Sequence, residues 1–491
     1  MQSARFCWRK ASNCSIRRNA KTYSTAVEHQ QDAYNAIVHA GSRSECESND
    51  GPLKGKVVVV KDNIVTKDVP TTAASKILAS YTPSYDATVV KLLRDHGATV
   101  STKTNLDEFG MGSHSQNSDH GPTLSPYSRA GQTLSPGGSS GGSAVAVATG
   151  TAWAAIGTDT GGSVRLPAAY SGVVGFKASY GLLSRWGVMQ YANSLDTVGI
   201  FGQNVDDVRQ LFRILDVYDK HDPTSLAPSV RRRLSSSGYG SNLRSLRIGV
   251  PSEYNILELS PLMRTVYCRT LSSLQAAGHT IHNISLPSTR QALSAYYILA
   301  PAEASSNLAK YDGVRYGYRT SGPPASSKEQ LPLYAKTRGE GFGAEVQRRI
   351  LLGAYTLSSE AIDNYFIKAQ KVRRLVQRDF DRVFASSNPL LGPGDLQDSG
   401  VDLILTPTAP TLPPTLAEVR RQTPVESYMN DVFTVPASLA GLPAVSVPVA
   451  LSAQESEGMD ENDIRSVGMQ IIGQFGSDQA VLDAASIVER L

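Results

Sequence analysis

Residues 54–63 read KGKVVVVKDN. Four consecutive valines cannot alternate between core and solvent, so they predict a strand buried on both faces. Such a strand requires covering layers above and below it. The run ends at Lys61-Asp62-Asn63, which sets a lysine at the rim of the core. Residues 85–96, YDATVVKLLRDH, then predict an amphipathic helix halted by Gly97, and 98–105, ATVSTKTN, the next strand. Further strands are expected at 246–251, 401–410, 442–451 and 468–473. A helix is expected over Asp32–Ala40, with Ala33, Ile37 and Ala40 on one face. Residues 215–244 read as a polar surface excursion and 388–399 as a surface loop. No tandem repeat or long linker interrupts the alternation. The expected fold is one large α/β domain: a mixed, twisted sheet covered by helices on both faces.

The first 27 residues differ from the rest. They carry Arg5, Arg9, Lys10, Arg17, Arg18 and Lys21, and no acid precedes Glu28. Basic, serine-rich and acid-free composition predicts a mitochondrial transit peptide over 1–27, leaving 28–491 as the working domain. The chain has 48 Lys and Arg against 44 Asp and Glu, a net charge of +4; without the six leader cations it is 42 against 44, or −2. The body therefore has no global basic excess with which to grip nucleic acid alone. Cys7, Cys14, Cys46 and Cys268 show no metal or disulfide spacing. The apolar run Ala144–Gly157 is too short to span a bilayer and reads as a buried helix, so no membrane insertion is expected.

Residues 136–165 read PGGSSGGSAVAVATGTAWAAIGTDTGGSVR. Two Gly-Gly-Ser blocks place Ser139 and Ser163 on either side of an apolar stretch. Ala144–Thr149 suits a helix packed closely on a sheet, and AAIGTDTGGS (154–163) reads as a tight loop. A phosphate loop would end in Gly-Lys-Ser/Thr, and this run does not. Serine attacks a carbonyl only after a base takes its proton. None of the eight histidines lies in these loops. A buried lysine can serve instead, because burial disfavours its charged form. Lys61, ending the valine strand, is the candidate. Glycines beside a serine free backbone N–H groups to form an oxyanion hole, where each donor contributes roughly 3 kcal/mol to the transition state.

The stretch GGSSGGSAVAVATGTAWAAIGTDTGGSVRLPAAYSGVVGFK resembles the amidase signature family, whose triad is Ser-cis-Ser-Lys. The resemblance implies Ser163 as nucleophile, Ser139 as the bridging serine on a cis peptide after Gly138, and Lys61 as the terminal base. It also implies an oxyanion hole from the N–H groups of Thr160, Gly161, Gly162 and Ser163. Four further stretches, at 107–123, 296–319, 341–359 and 428–448, resemble the A subunits of glutamyl-tRNA(Gln) amidotransferases in particular.

That branch implies a glutaminase: the side-chain amide of glutamine is cleaved, and ammonia passes to a B subunit that converts ATP-activated Glu-tRNA(Gln) to Gln-tRNA(Gln). By motif match, Arg349 would pair with the glutamine α-carboxylate and Asp431 with its α-ammonium, while Tyr297 and Ser113 would wall the pocket. Arg348 is the adjacent alternative to Arg349. The resemblance implies no metal or cofactor in this chain. ATP and Mg²⁺ would be used by the complex. Its other members would be the B subunit plus a small third subunit, with Glu-tRNA(Gln) met through the complex. The expected location is the mitochondrial matrix. A free-standing amidase acting on another small amide would keep the triad without needing Arg349 and Asp431. A non-catalytic scaffold would need none of them.

Overall fold

In the computed structural model, which describes residues 32–40, 50–236, 245–321, 334–391 and 399–491, the valine run lies inside an eleven-stranded sheet. The 1–27 leader and residues 392–398 of the expected surface loop lie outside the described residues. The strands are β1 (Ile37–Ala40), β2 (Val58–Lys61), β3 (Thr102–Thr104), β4 (Ser128–Arg129), β5 (Gln132–Thr133), β6 (Ala154–Asp159), β7 (Val174–Lys177), β8 (Thr197–Gly202), β9 (Arg247–Pro251), β10 (Thr280–Ile284), β11 (Leu403–Pro407), β12 (Ala444–Ala450) and β13 (Ser466–Gly473). β4 and β5 form a small hairpin of their own. The large sheet runs β1-β3-β2-β6-β8-β7-β12-β13-β11-β9-β10. Its β3-β2-β6 and β11-β9-β10 neighbours are parallel, and the remaining pairs are antiparallel.

Every residue of β2, β6, β7, β8 and β11 is buried. A strand buried at successive residues has both faces covered, as the valine run required. The helix Gly141–Ala148 lies against β2, β6 and β8, and the helices Arg165–Ser171 and Asp478–Val488 lie against β12 and β13.

Three expectations are corrected. Residues 32–40 are not a helix. The Asp32 carboxylate accepts the N–H groups of Tyr34 and Ile37 at 3.2 and 2.6 Å, Asn35 takes φ +50°, and Ile37 pairs with Thr104. This local side-chain turn competes with the helix ladder and wins. Residues 154–159 are neither loop nor helix but β6, held between β2 and β8. Their small residues carry little strand preference, and the ladders on both sides decide the outcome. The polar excursion contains the helix Pro228–Ser236. Strands β7, β8 and β10 were not anticipated at all.

Two helices bring distant sequence to the site. Ala292–Asn307 and Ala344–Thr356 pack side by side, and Gly353 permits the contact: a Cβ there would collide with the Pro301 carbonyl.

Candidate active site

Lys61 ends β2 with its side chain fully buried. Its Nζ lies 2.7 Å from Ser139 Oγ and 3.0 Å from Thr158 Oγ1, and Asn63 donates to the same Thr158 oxygen at 3.1 Å. Burial pushes the Lys61 amine down to about 7, against the raising influence of Asp107, Asp159 and Asp196. An amine so placed is in part neutral at neutral pH, and the neutral form can accept a proton from the hydroxyl it touches.

Ser139 is 1% exposed and follows a cis Gly138–Ser139 peptide. Its carbonyl accepts from the Asp107 N–H at 3.2 Å and from Ser115 Oγ at 3.4 Å. Asp107 is itself fixed by three backbone donors, from Ser115, Gln116 and Asn117. Next along the chain, the Ser140 N–H donates to the Ser163 carbonyl at 3.3 Å, which ties the two serine turns together.

The turn at 160–163 leaves the end of β6 and is clamped from several sides. The Asp159 carboxylate accepts from the Val164 N–H at 3.1 Å and from both Nε and Nη2 of the fully buried Arg165, at 3.1 and 2.9 Å. Thr160 Oγ1 donates to Asp196 at 2.7 Å. Thr434 Oγ1 donates to the Gly161 carbonyl at 2.7 Å and occupies the space a side chain at Gly162 would need. Gly162 also has φ +153°, a conformation that L side chains rarely adopt. With the Gly161 carbonyl held outward, no acceptor among the described residues is bonded to the N–H groups of Gly161, Gly162 or Ser163. Buried N–H groups are nearly always paired, so this group is poised for an anionic oxygen. Ser163 is half-buried, whereas Ser139 and Lys61 are sealed. The reactive oxygen is thus the one open to a substrate.

A second constellation adjoins this turn. Asp431 is 7% exposed and accepts from Ser113 Oγ and Tyr297 Oη, both at 2.9 Å. Burial raises its carboxyl to about 6, opposed by those two hydrogen bonds and by Arg349. Arg349 is 3% exposed; its Nε donates to Glu345 at 2.8 Å and its Nη1 to Tyr191 Oη at 2.7 Å. The guanidinium lies over the rings of Tyr191, Tyr297 and Tyr428, 5.5–5.8 Å from their centroids. Tyr297 and Tyr428 stack at 3.7 Å. Arg348 points elsewhere: its side chain is half exposed and pairs with Glu345. Thr434 Oγ1 lies 3.1 Å from the Asp431 carbonyl as well as on Gly161, so it joins the two groups.

The structure therefore gathers Lys61, Ser139 and the 160–163 turn on one side, and Ser113, Tyr297, Arg349 and Asp431 on the other. The sequence reading missed Thr158, Arg165, Tyr191, Glu345, Tyr428 and Thr434. Arg165 stands two residues after Ser163, and a buried partner for Asp159 was its available signal. Tyr191 and Tyr428 carry no local signal, because only the packing of loops and helices brings them to Arg349. A cavity of about 790 Å³, lined among others by Tyr81, Tyr85, Trp186, Lys310 and Tyr311, shares Asp196 with the site but none of the residues expected to react.

A family model described as Amidase matches residues 12–482. The chain is 52% identical over 516 residues to the A subunit of the mitochondrial glutamyl-tRNA(Gln) amidotransferase of Ajellomyces capsulatus, covering 98% of each chain. It is 53% identical over 501 residues to the protein of the same name from Coccidioides posadasii, covering 98% of this chain and 99% of the relative. The crystal structure of the glutamyl-tRNA(Gln) amidotransferase A subunit from Thermotoga maritima superposes with a TM-score of 0.72 at 34% identity, covering 92% of this chain and 87% of that one.

Proposed function

This chain belongs to the amidase family, and from that premise we infer that it is the glutamine-hydrolysing A subunit of a mitochondrial glutamyl-tRNA(Gln) amidotransferase. It works within a heteromeric enzyme and supplies ammonia for converting Glu-tRNA(Gln) to Gln-tRNA(Gln). The observation that carries the chemistry is the 2.7 Å contact of Lys61 with Ser139 beside a turn of unpaired amides.

In the proposed mechanism, Lys61 draws a proton from Ser139, which takes one from Ser163. Ser163 Oγ attacks Cδ of glutamine, and the oxyanion settles against the N–H groups of the 160–163 turn. The proton returns through the relay to the departing nitrogen, and the C–N bond breaks to release ammonia. The γ-glutamyl ester on Ser163 is then hydrolysed by water activated through the same relay. Arg349, with Nε on Glu345 and Nη1 on Tyr191, offers its remaining guanidinium N–H groups to the α-carboxylate. Asp431 receives the α-ammonium, with Ser113 and Tyr297 holding its orientation. The finer partner set is a B subunit, where ATP and Mg²⁺ are used, plus a small third subunit. The working domain is 28–491, and the leader directs it to the matrix.

A free-standing amidase is the less favoured reading, because the Arg349–Asp431 cluster fits an amino acid head group that a simple amide lacks. The experiment is glutamate release from glutamine by the purified chain, alone and with its B partner, Glu-tRNA(Gln) and ATP. Hydrolysis that rises with the partner and yields Gln-tRNA(Gln) is expected. Turnover of other amides without glutamine turnover would replace the proposal with the free-standing amidase.

A further inference from the structure

One cluster near the relay takes no part in it. His39 on edge strand β1, Asp62 just beyond β2 and His120 in the 115–123 loop bring three potential ligand atoms within 4.8 Å of one another. The imidazoles of His39 and His120 meet edge to face, their centroids 5.4 Å apart. Asp62 is fully buried, and its Oδ2 accepts from the Thr72 N–H and hydroxyl at 2.9 and 2.5 Å. Thr72 Oγ1 also lies 3.0 Å from His120 Nε2, which orients that ring.

One atom in this cluster is anomalous. Among the described residues, His39 Nε2 is buried without a hydrogen-bond partner. Asp62 Oδ1 faces the buried Lys103 ammonium at 3.1 Å, and that ammonium also donates at 2.8 Å to the Ile64 carbonyl and Thr71 Oγ1. A buried ring nitrogen left unpaired beside a carboxylate and a second imidazole calls for an explanation, and a missing ion is one of the few available.

We infer that His39, Asp62 and His120 form a binding site for a divalent transition ion of the zinc class. Two imidazoles and one carboxylate suit Zn²⁺ or Co²⁺ and not the all-oxygen preference of Mg²⁺ or Ca²⁺. Three protein ligands would leave a fourth position for water. An ion at about 2.1 Å from each donor requires them to close to roughly 3.4 Å from one another, a movement that falls to the two half-buried imidazoles because Thr72 and Lys103 hold Asp62. The competing Lys103 ammonium keeps the affinity well short of a four-ligand structural centre. The ion would staple the edge strand and the 115–123 loop to the turn that follows Lys61. Its role is to hold structure, and no step of glutamine hydrolysis passes through it.

The test is Zn²⁺ titration of the chelator-stripped full chain in competition with a chromophoric chelator, comparing wild type with His39→Ala, His120→Ala and the double substitution. Saturation at one equivalent per chain is expected, weakened at least tenfold by each single change and absent from the double variant. Co²⁺ added to the unsubstituted chain gives a readout independent of any variant's folding: a visible band of four-coordinate intensity without near-ultraviolet thiolate charge transfer is expected. No uptake by wild type, uptake kept by the double variant, or a thiolate band would each overturn the assignment.

Discussion

The two halves of the active site are built in opposite ways. The hydrolytic half takes Ser139, Thr158 and the 160–163 turn from one continuous stretch, and adds Lys61 from the strand that pairs with β6. Sheet ladders and short turns fix it. The recognition half takes Ser113, Tyr297, Arg349 and Asp431 from four separate segments, and side-chain contacts between packed helices and loops hold them. Chemistry that tolerates little displacement sits where the backbone itself sets the geometry. Selection of the substrate sits where side chains set it. If this division is right, substitutions in the first half lower kcat, and substitutions in the second raise KM.

The largest effect is expected from Ser163→Ala. Without the nucleophile, glutamate release should fall by about 10⁴-fold or more, with glutamine still binding. Retention of more than a small fraction of activity would show that another group attacks. Lys61→Ala should follow with a kcat loss of about 10³-fold, within the range for a general base. Its KM should change little, because Lys61 touches Ser139 and Thr158 and is placed away from the amino acid head group.

The recognition half breaks the other way. Arg349→Lys keeps a positive charge but removes the planar pair of donors, and Asp431→Asn removes the anion. Each discards a charge-assisted interaction of about 1.5–3 kcal/mol, so KM for glutamine should rise roughly 10- to 100-fold while kcat falls much less. A kcat loss matching that of Lys61→Ala would erase the distinction between the halves. The Asp431 carboxyl, raised to about 6 by burial, gives a pH test with a definite sign. Above that value it is ionised and can hold an ammonium. Below it the carboxyl is neutral, so KM for glutamine should rise as pH drops through about 6, in addition to the fall in kcat as the Lys61 amine takes up a proton below about 7. Asp431→Asn should flatten the KM profile and leave the acid limb of kcat in place.

The same division decides how far the site could be read before folding. Lys61, Ser139 and Ser163 announce themselves because each stands in a short motif with its own local physics: a run of valines that ends, and two glycine turns. The large α/β sheet was legible for the same reason at β2, β11, β12 and β13, where apolar runs are continuous. It was not legible at β6, whose Ala-Ala-Ile-Gly-Thr-Asp run is strand only because β2 and β8 flank it. Nor was it legible at Asp32–Ala40, where alanine and isoleucine spacing suggested a helix but the Asp32 side chain captures the backbone first. Tyr191 and Tyr428 escaped notice because a tyrosine's role beside an arginine exists only after helices and loops pack.

The smallest expected effect isolates that last point. Arg348 and Arg349 are neighbours on one helix with the same chemistry, and sequence alone offered both. The helical turn sends Arg349 among three tyrosines and leaves Arg348 half exposed, paired with the largely buried Glu345. With Arg348 half exposed, water screens the pair and holds it to about 1 kcal/mol. Arg348→Ala should therefore leave KM for glutamine within about twofold of the parent, since so weak a pair transmits little to the pocket. A tenfold rise would mean that the Glu345 carboxylate, shared between the two arginines, needs both to hold Arg349 in place. The recognition half would then extend to the protein surface, and its contrast with the sealed hydrolytic half would be sharper still.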